Sequence, residues 1–168
     1  MRNIAGIVLF LIAAATWADE YPACAVAVDE IHEIYPGQFI RAVATIKGAP
    51  CFESTLTIEL SSKRKVIYAY SARFKPHSAI PWESLTAQDA ERFAKSAVSA
   101  DRFINCADLE PAQDDPIYVI PAIPQKRYEE IRASECRAFQ HNTHYEAGVS
   151  VLLPASLNEA IKVNEYGV

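Results

Sequence analysis

Residues 52–74 read FESTLTIELSSKRKVIYAYSARF. Leu56, Ile58 and Leu60 alternate with Thr55, Thr57 and Glu59, which is the period of a strand with one face in a core. Ser61 to Lys65 is a polar turn, and Val66, Tyr68, Tyr70 and Phe74 begin a second alternating run. Two such runs joined by a short polar link specify an antiparallel hairpin. The Lys63-Arg64-Lys65 cluster at its tip reads as charge that discourages edge pairing.

The same pattern extends upstream. Phe39 to Lys47 is a further strand, and Cys24 to Tyr35 another, with Val26, Val28, Ile31 and Ile34 as its apolar residues. Its alternation slips near Asp29-Glu30, which suggests a bulge there. Tyr35-Pro36-Gly37-Gln38 between them has Pro and Gly where a type II turn requires them. Four strands with short links form a β-meander.

Downstream the period changes. Thr86 with Asp89 three residues on marks a helix start. Ala90, Phe93, Ala94, Ala97 and Val98 then share one helical face. Four prolines between residues 107 and 124 impose an extended connection, with a short strand at Ile117–Ile120. Gln125 to Ser134 is a second helix with Tyr128, Ile131 and Arg132 inward. Arg137 to Tyr145, Gly148 to Leu153 and Glu159 to Val163 alternate as strands. The order predicts one α+β domain: antiparallel β-meander, two helices, then a second short β-meander.

Residues 1–18 read differently. Arg2, the apolar run Ile4 to Ala15 and Thr16-Trp17-Ala18 match a cleavable secretory signal. The run is shorter than the ~20 apolar residues of a membrane span. Cleavage after Ala18 leaves residues 19–168 as the single domain, in a periplasmic or extracellular compartment. The four cysteines, Cys24, Cys51, Cys106 and Cys136, then read as two disulfides. Of the three pairings possible, Cys24–Cys51 with Cys106–Cys136 joins neighbouring segments; the two crossed alternatives stay open.

The chain has 168 residues, 51% of them hydrophobic, and a net charge of −5. That composition is globular, and its charge argues against nucleic acid or an anionic membrane as the main partner. Candidate chemistry is sparse. His141 and His144 lie in Gln140–Glu146, but on a strand they point to opposite faces and cannot share an ion. No Gly-x-Ser-x-Gly elbow or Gly-rich phosphate loop occurs, and oxidised cysteines supply no thiolate. Asp108, Glu110, Asp114 and Asp115 could pair as carboxylates, yet between prolines they read as a solvated loop.

The loop from Phe74 to Trp82 is more distinctive. Two prolines limit its freedom, which lowers the ordering entropy of presenting Lys75, His77 and Trp82 to a partner. Lys75-Pro76-His77 also occurs in the inhibitory loop of periplasmic lysozyme inhibitors. There cysteines flank it where Phe74 and Ser78 stand here, so no kinship follows. The sequence therefore points to an exported protein-binding module, of inhibitor or immunity type, that acts on another exported protein without a cofactor or metal. The alternatives are a small metal-dependent hydrolase using His141 and His144, and a small-ligand carrier on the concave side of the sheet.

Overall fold

The computed structural model describes residues 23–74, 81, 85–112, 119–144 and 146–167. Residues 1–18 lie outside them, as do Lys75, His77, Trp82, Asp114, Asp115 and Tyr145. The described chain forms two antiparallel sheets and two helices. The first sheet is the expected meander, in the order β1 (Cys24–Tyr35), β2 (Gln38–Gly48), β3 (Thr55–Ser62), β4 (Lys65–Arg73). Pro36 and Gly37 form the first turn, with Gly37 at φ 71°, a backbone geometry that suits glycine. Gly37 N–H donates to Glu33 Oε1 at 2.7 Å.

Two details of this sheet differ from the periodicity reading. The slip at Asp29-Glu30 is not a bulge; β1 stays in register with β2 from Cys24 to Glu33, and the irregularity falls at Ile34. Even-numbered residues therefore face inward throughout, so Glu30 and His32 point in and Ile31 points out, 69% exposed. His32 Nε2 donates to Val98 O at 2.8 Å, at the end of the first helix. In the hairpin, Tyr68 pairs with Leu60 while Val66 pairs with Ser61, which makes Ile67 the extra residue of a bulge. Ile67 is buried and Val66 is turned to the outer face.

Helix α1 (Ala87–Val98) begins with the predicted capping box. Asp89 N–H donates to Thr86 Oγ1 at 3.2 Å, and Thr86 N–H donates to Asp89 Oδ2 at 3.1 Å. Hydrogen bonds from Thr86, then Arg92, hold the Asp89 carboxyl below its ordinary range. The buried face of α1 is Ala90, Ala94, Ala97 and Val98, and it packs on β1 and β2. β2 itself turns Ala42 and Ala44 inward, and small side chains on both partners allow close approach.

The second sheet has the order β5 (Phe103–Asn105), β7 (Arg137–Asn142), β8 (Ala147–Leu153), β9 (Ile161–Gly167), β6 (Val119–Pro121). It is a three-strand meander widened on each edge by a three-residue strand from the connection before helix α2 (Gln125–Arg132). β5 carries no periodic signal, being too short to show one. β7 ends at Asn142, earlier than the alternation implied, because Thr143 and His144 turn back to donate to Ala147 O.

One face of this sheet meets the first sheet and α1, and the shared core includes Leu56, Ile58, Leu60, Phe103, Phe139, Val151 and Leu153. The other face packs on α2 through Leu109, Tyr128, Ile131, Ala138 and Val163. The disulfides are Cys24–Cys51 and Cys106–Cys136, the neighbouring-segment pairing. The architecture is a single mixed α+β domain.

Candidate functional site

Among the described candidates, His141 is completely buried in β7, on the seam between the sheets. Tyr68 of β4 donates its hydroxyl to His141 Nε2 at 2.6 Å, and His141 Nδ1 donates to Asn142 O at 3.0 Å. This assigns the proton to Nδ1 from the hydrogen-bond network. The Tyr70 and Phe139 rings lie 4.5 and 5.8 Å from the imidazole. His144 is exposed in the β7–β8 turn, not on the strand with His141 as the alternation implied. Among the described residues, no three of His, Cys, Asp or Glu are grouped to hold a metal ion. The Tyr68–His141 hydrogen bond spans the two sheets, and its surroundings are those of a core contact.

Burial pushes the Tyr68 phenol well above its ordinary pKa, with Tyr70 adding a smaller push, and burial raises Tyr70 as well. A raised pKa means that the fold holds the neutral phenol. Its stabilising contribution is complete below about pH 10, where the unfolded chain's tyrosines ionise, and is lost as the pH rises further. Urea midpoints measured from pH 8 to 11 should therefore fall above pH 10, and Tyr68→Phe should make that fall shallower. An unchanged slope in the variant would contradict the assignment.

The inner face of the first sheet is filled by side chains, among them Ile40, Ile46, Leu56, Ile58 and Leu60. The concave space expected for a ligand carrier is thus occupied by core. The outer face is different. Cross-strand pairing lines up Ile31, Arg41, Ser61 and Val66 in one row, with Phe39 paired to Glu33 beside it. Ile31, Phe39 and Val66 are 69%, 54% and 46% exposed. Together with Arg41, Glu59, Ser61, Lys63 and Arg64 they line a shallow depression of about 350 Å³. Arg41 makes a two-point contact with Asp29, through Nε to Oδ1 at 2.9 Å and Nη2 to Oδ2 at 2.6 Å. That contact lowers the Asp29 pKa and raises that of Arg41.

Lys63 and Arg64 form the two-residue β3–β4 turn at φ 49° and 68°. Positive φ at both central positions is the pattern of a type I′ turn, for which Asn-Gly is the favoured pair. A side chain held there costs about 1–2 kcal/mol per residue. Two long cations thus sit where the backbone favours small residues, beside three exposed apolar side chains.

Sequence reasoning missed this face. Counting by two from Val26 and Val28 places Ile31 outside, so that signal was present. Val66 was not recoverable, because nothing in the residues marks Ile67 as the bulge. No known protein family, curated protein or solved structure matches this chain. No helix among the described residues is long and apolar enough to cross a membrane.

Proposed function

We propose that the protein is an exported binding module of inhibitor or immunity type, and that the outer face of its first sheet docks an acidic surface of another exported protein. The observation that carries this reading is the strained cationic turn beside Ile31, Phe39 and Val66. Apolar anchors ringed by charge are a common interface composition. The chain as a whole is acidic, so a local cluster of cations would orient an approaching acidic partner. Glu33 and Glu59 share the face; they would oppose an anionic bilayer, whereas a protein surface can match mixed charge. Two disulfides fit an oxidising compartment.

The test uses the oxidised chain 19–168 as bait against envelope and secretion-medium extracts at low and moderate salt. Wild type is run beside Lys63→Asn/Arg64→Gly and beside Phe39→Ser. The expected result is one stoichiometric partner, held more weakly at moderate salt and lost from both variants. The turn variant should also unfold about 1 kcal/mol or more above wild type, since Asn-Gly relieves the positive-φ cost. Equal capture by wild type and variants would remove this face.

β4 starts at Lys65 beside the turn and ends at Arg73, and Lys75, His77 and Trp82 come after Arg73 in the sequence. Lys75→Ala and His77→Ala in the same assay separate that segment from the turn face. Loss of binding there alone would move the docking surface to that segment. For the metal-dependent alternative, metal analysis of the purified chain is paired with His141→Ala.

A further inference from the structure

The face of the second sheet that carries α2 is polar at one end. Gln140, Ser150 and Asn164 form one rung across β7, β8 and β9; Asn142, Gly148 and Tyr166 form the next. The first rung is internally bonded. Gln140 Nε2 donates to Ser150 Oγ at 3.0 Å, and Asn164 Oδ1 accepts from Ser150 N–H at 3.1 Å. Asn164 Nδ2 donates to Tyr128 Oη at 2.8 Å, and the Tyr128 hydroxyl donates to Glu110 O at 2.7 Å. Ser150, Asn164 and Tyr128 are buried. Gly148 leaves room for Tyr166, because a Cβ there would lie 2.3 Å from the phenol ring. Gln140, Asn142, Asn164 and Tyr166 of these rungs line a cleft of about 440 Å³ together with Arg102, Asp108 and Glu110, a size suited to a small ligand.

The charges around this cleft are not paired with one another. Arg102 Nε donates to Ser96 O, Nη2 to Ser96 Oγ and Nη1 to Asn142 Oδ1, all neutral acceptors. A guanidinium has five N–H groups, so among the described residues one remains on each terminal nitrogen. Asp108 accepts from the Asn105 amide. Neither Asp108 nor Glu110 takes part in an ion pair among the described residues. One cation and two carboxylates thus share a cleft without neutralising each other. A neutral ligand gains nothing from that separation, whereas a molecule with opposite charges at its two ends matches it.

We propose that this cleft binds a small zwitterion, an α-amino acid or a short peptide with free ends. Its carboxylate meets Arg102 and its ammonium meets Asp108 and Glu110. The site lies on the second sheet and is independent of the docking face on the first.

The test measures thermal shift and calorimetric binding on the oxidised protein at millimolar ligand. The probes are the standard amino acids and glycylglycine, then the N-acetyl and methyl-ester forms of whichever binds, and neutral trehalose. The expected result is a stabilising shift with at least one zwitterion, abolished by blocking either end and absent with trehalose. Asp108→Asn/Glu110→Gln changes two exposed side chains and should keep the melting temperature while weakening binding about tenfold or more. Arg102→Gln should weaken it similarly; its melting temperature without ligand reports any loss of the Ser96 contacts. No shift with any member of the panel, equal binding of blocked forms or trehalose, or undiminished binding by Asp108→Asn/Glu110→Gln would each overturn the proposal.

Discussion

Phe139→Ala is expected to lower the unfolding free energy by about 3–5 kcal/mol, the range for removing a buried phenylalanine ring. Phe139 has no exposed surface. Its ring lies 5.0 Å from Phe103, 5.8 Å from His141 and 6.5 Å from Tyr68, so it touches both sheets at their seam. The alanine variant leaves a cavity that neither sheet can fill without shifting the other. Domains are held by roughly 5–15 kcal/mol in total, so this one change would remove a large part of the margin. Phe139→Leu should recover most of the loss, because it restores much of the volume. Urea unfolding followed by circular dichroism reads both variants. A loss below about 1 kcal/mol for alanine would mean that the two sheets do not share a core.

The double variant Cys24→Ala/Cys51→Ala is expected to lose about 3–4 kcal/mol. The bridge closes a 27-residue separation, and the chain-entropy relation gives about 3.5 kcal/mol for that loop length. The bridge also fastens the start of an edge strand to the β2–β3 connection, where fraying would otherwise begin. Cys24 and Cys51 are 2% and 1% exposed. In the second bridge Cys106 is buried but Cys136 is partly exposed. Thiol attack requires access to a sulfur, so graded dithiothreitol should open Cys106–Cys136 first. Timed alkylation with mass spectrometry reads the order. Simultaneous opening of both bridges would show that exposure does not govern it.

Much of the fold was legible because its signals are local. Leu56, Ile58 and Leu60 announce β3 by alternation, Pro36-Gly37 specifies a turn, and Thr86 with Asp89 specifies a helix start. Each depends on residues within a few positions of one another. The bulge at Ile67 depends on how two strands settle against a core, so Val66 was placed on the wrong face. β5 is too short to carry a period. The polar rungs were invisible for another reason: Gln140, Ser150 and Asn164 come from three strands and meet only through register. Asp108 and Glu110 looked like a solvated loop because Arg102, their neighbour across the cleft, precedes them in a segment with no recognisable pattern. Lys63 and Arg64 are legible as turn cations, but their positive φ appears only in the backbone.

The two disulfide loops occupy separate stretches of chain, one ending at residue 51 and the other starting at residue 106. Neither encloses or crosses the other. A polypeptide emerging from its N-terminus can close each loop as soon as its second cysteine appears, with no thiol waiting for a distant partner. The first sheet is likewise complete by Arg73, since every strand in it pairs with its sequence neighbour. Short-range pairing of this kind favours rapid assembly. Once the first bridge has formed, only two cysteines remain for the second, and scrambled pairings have no reagents left.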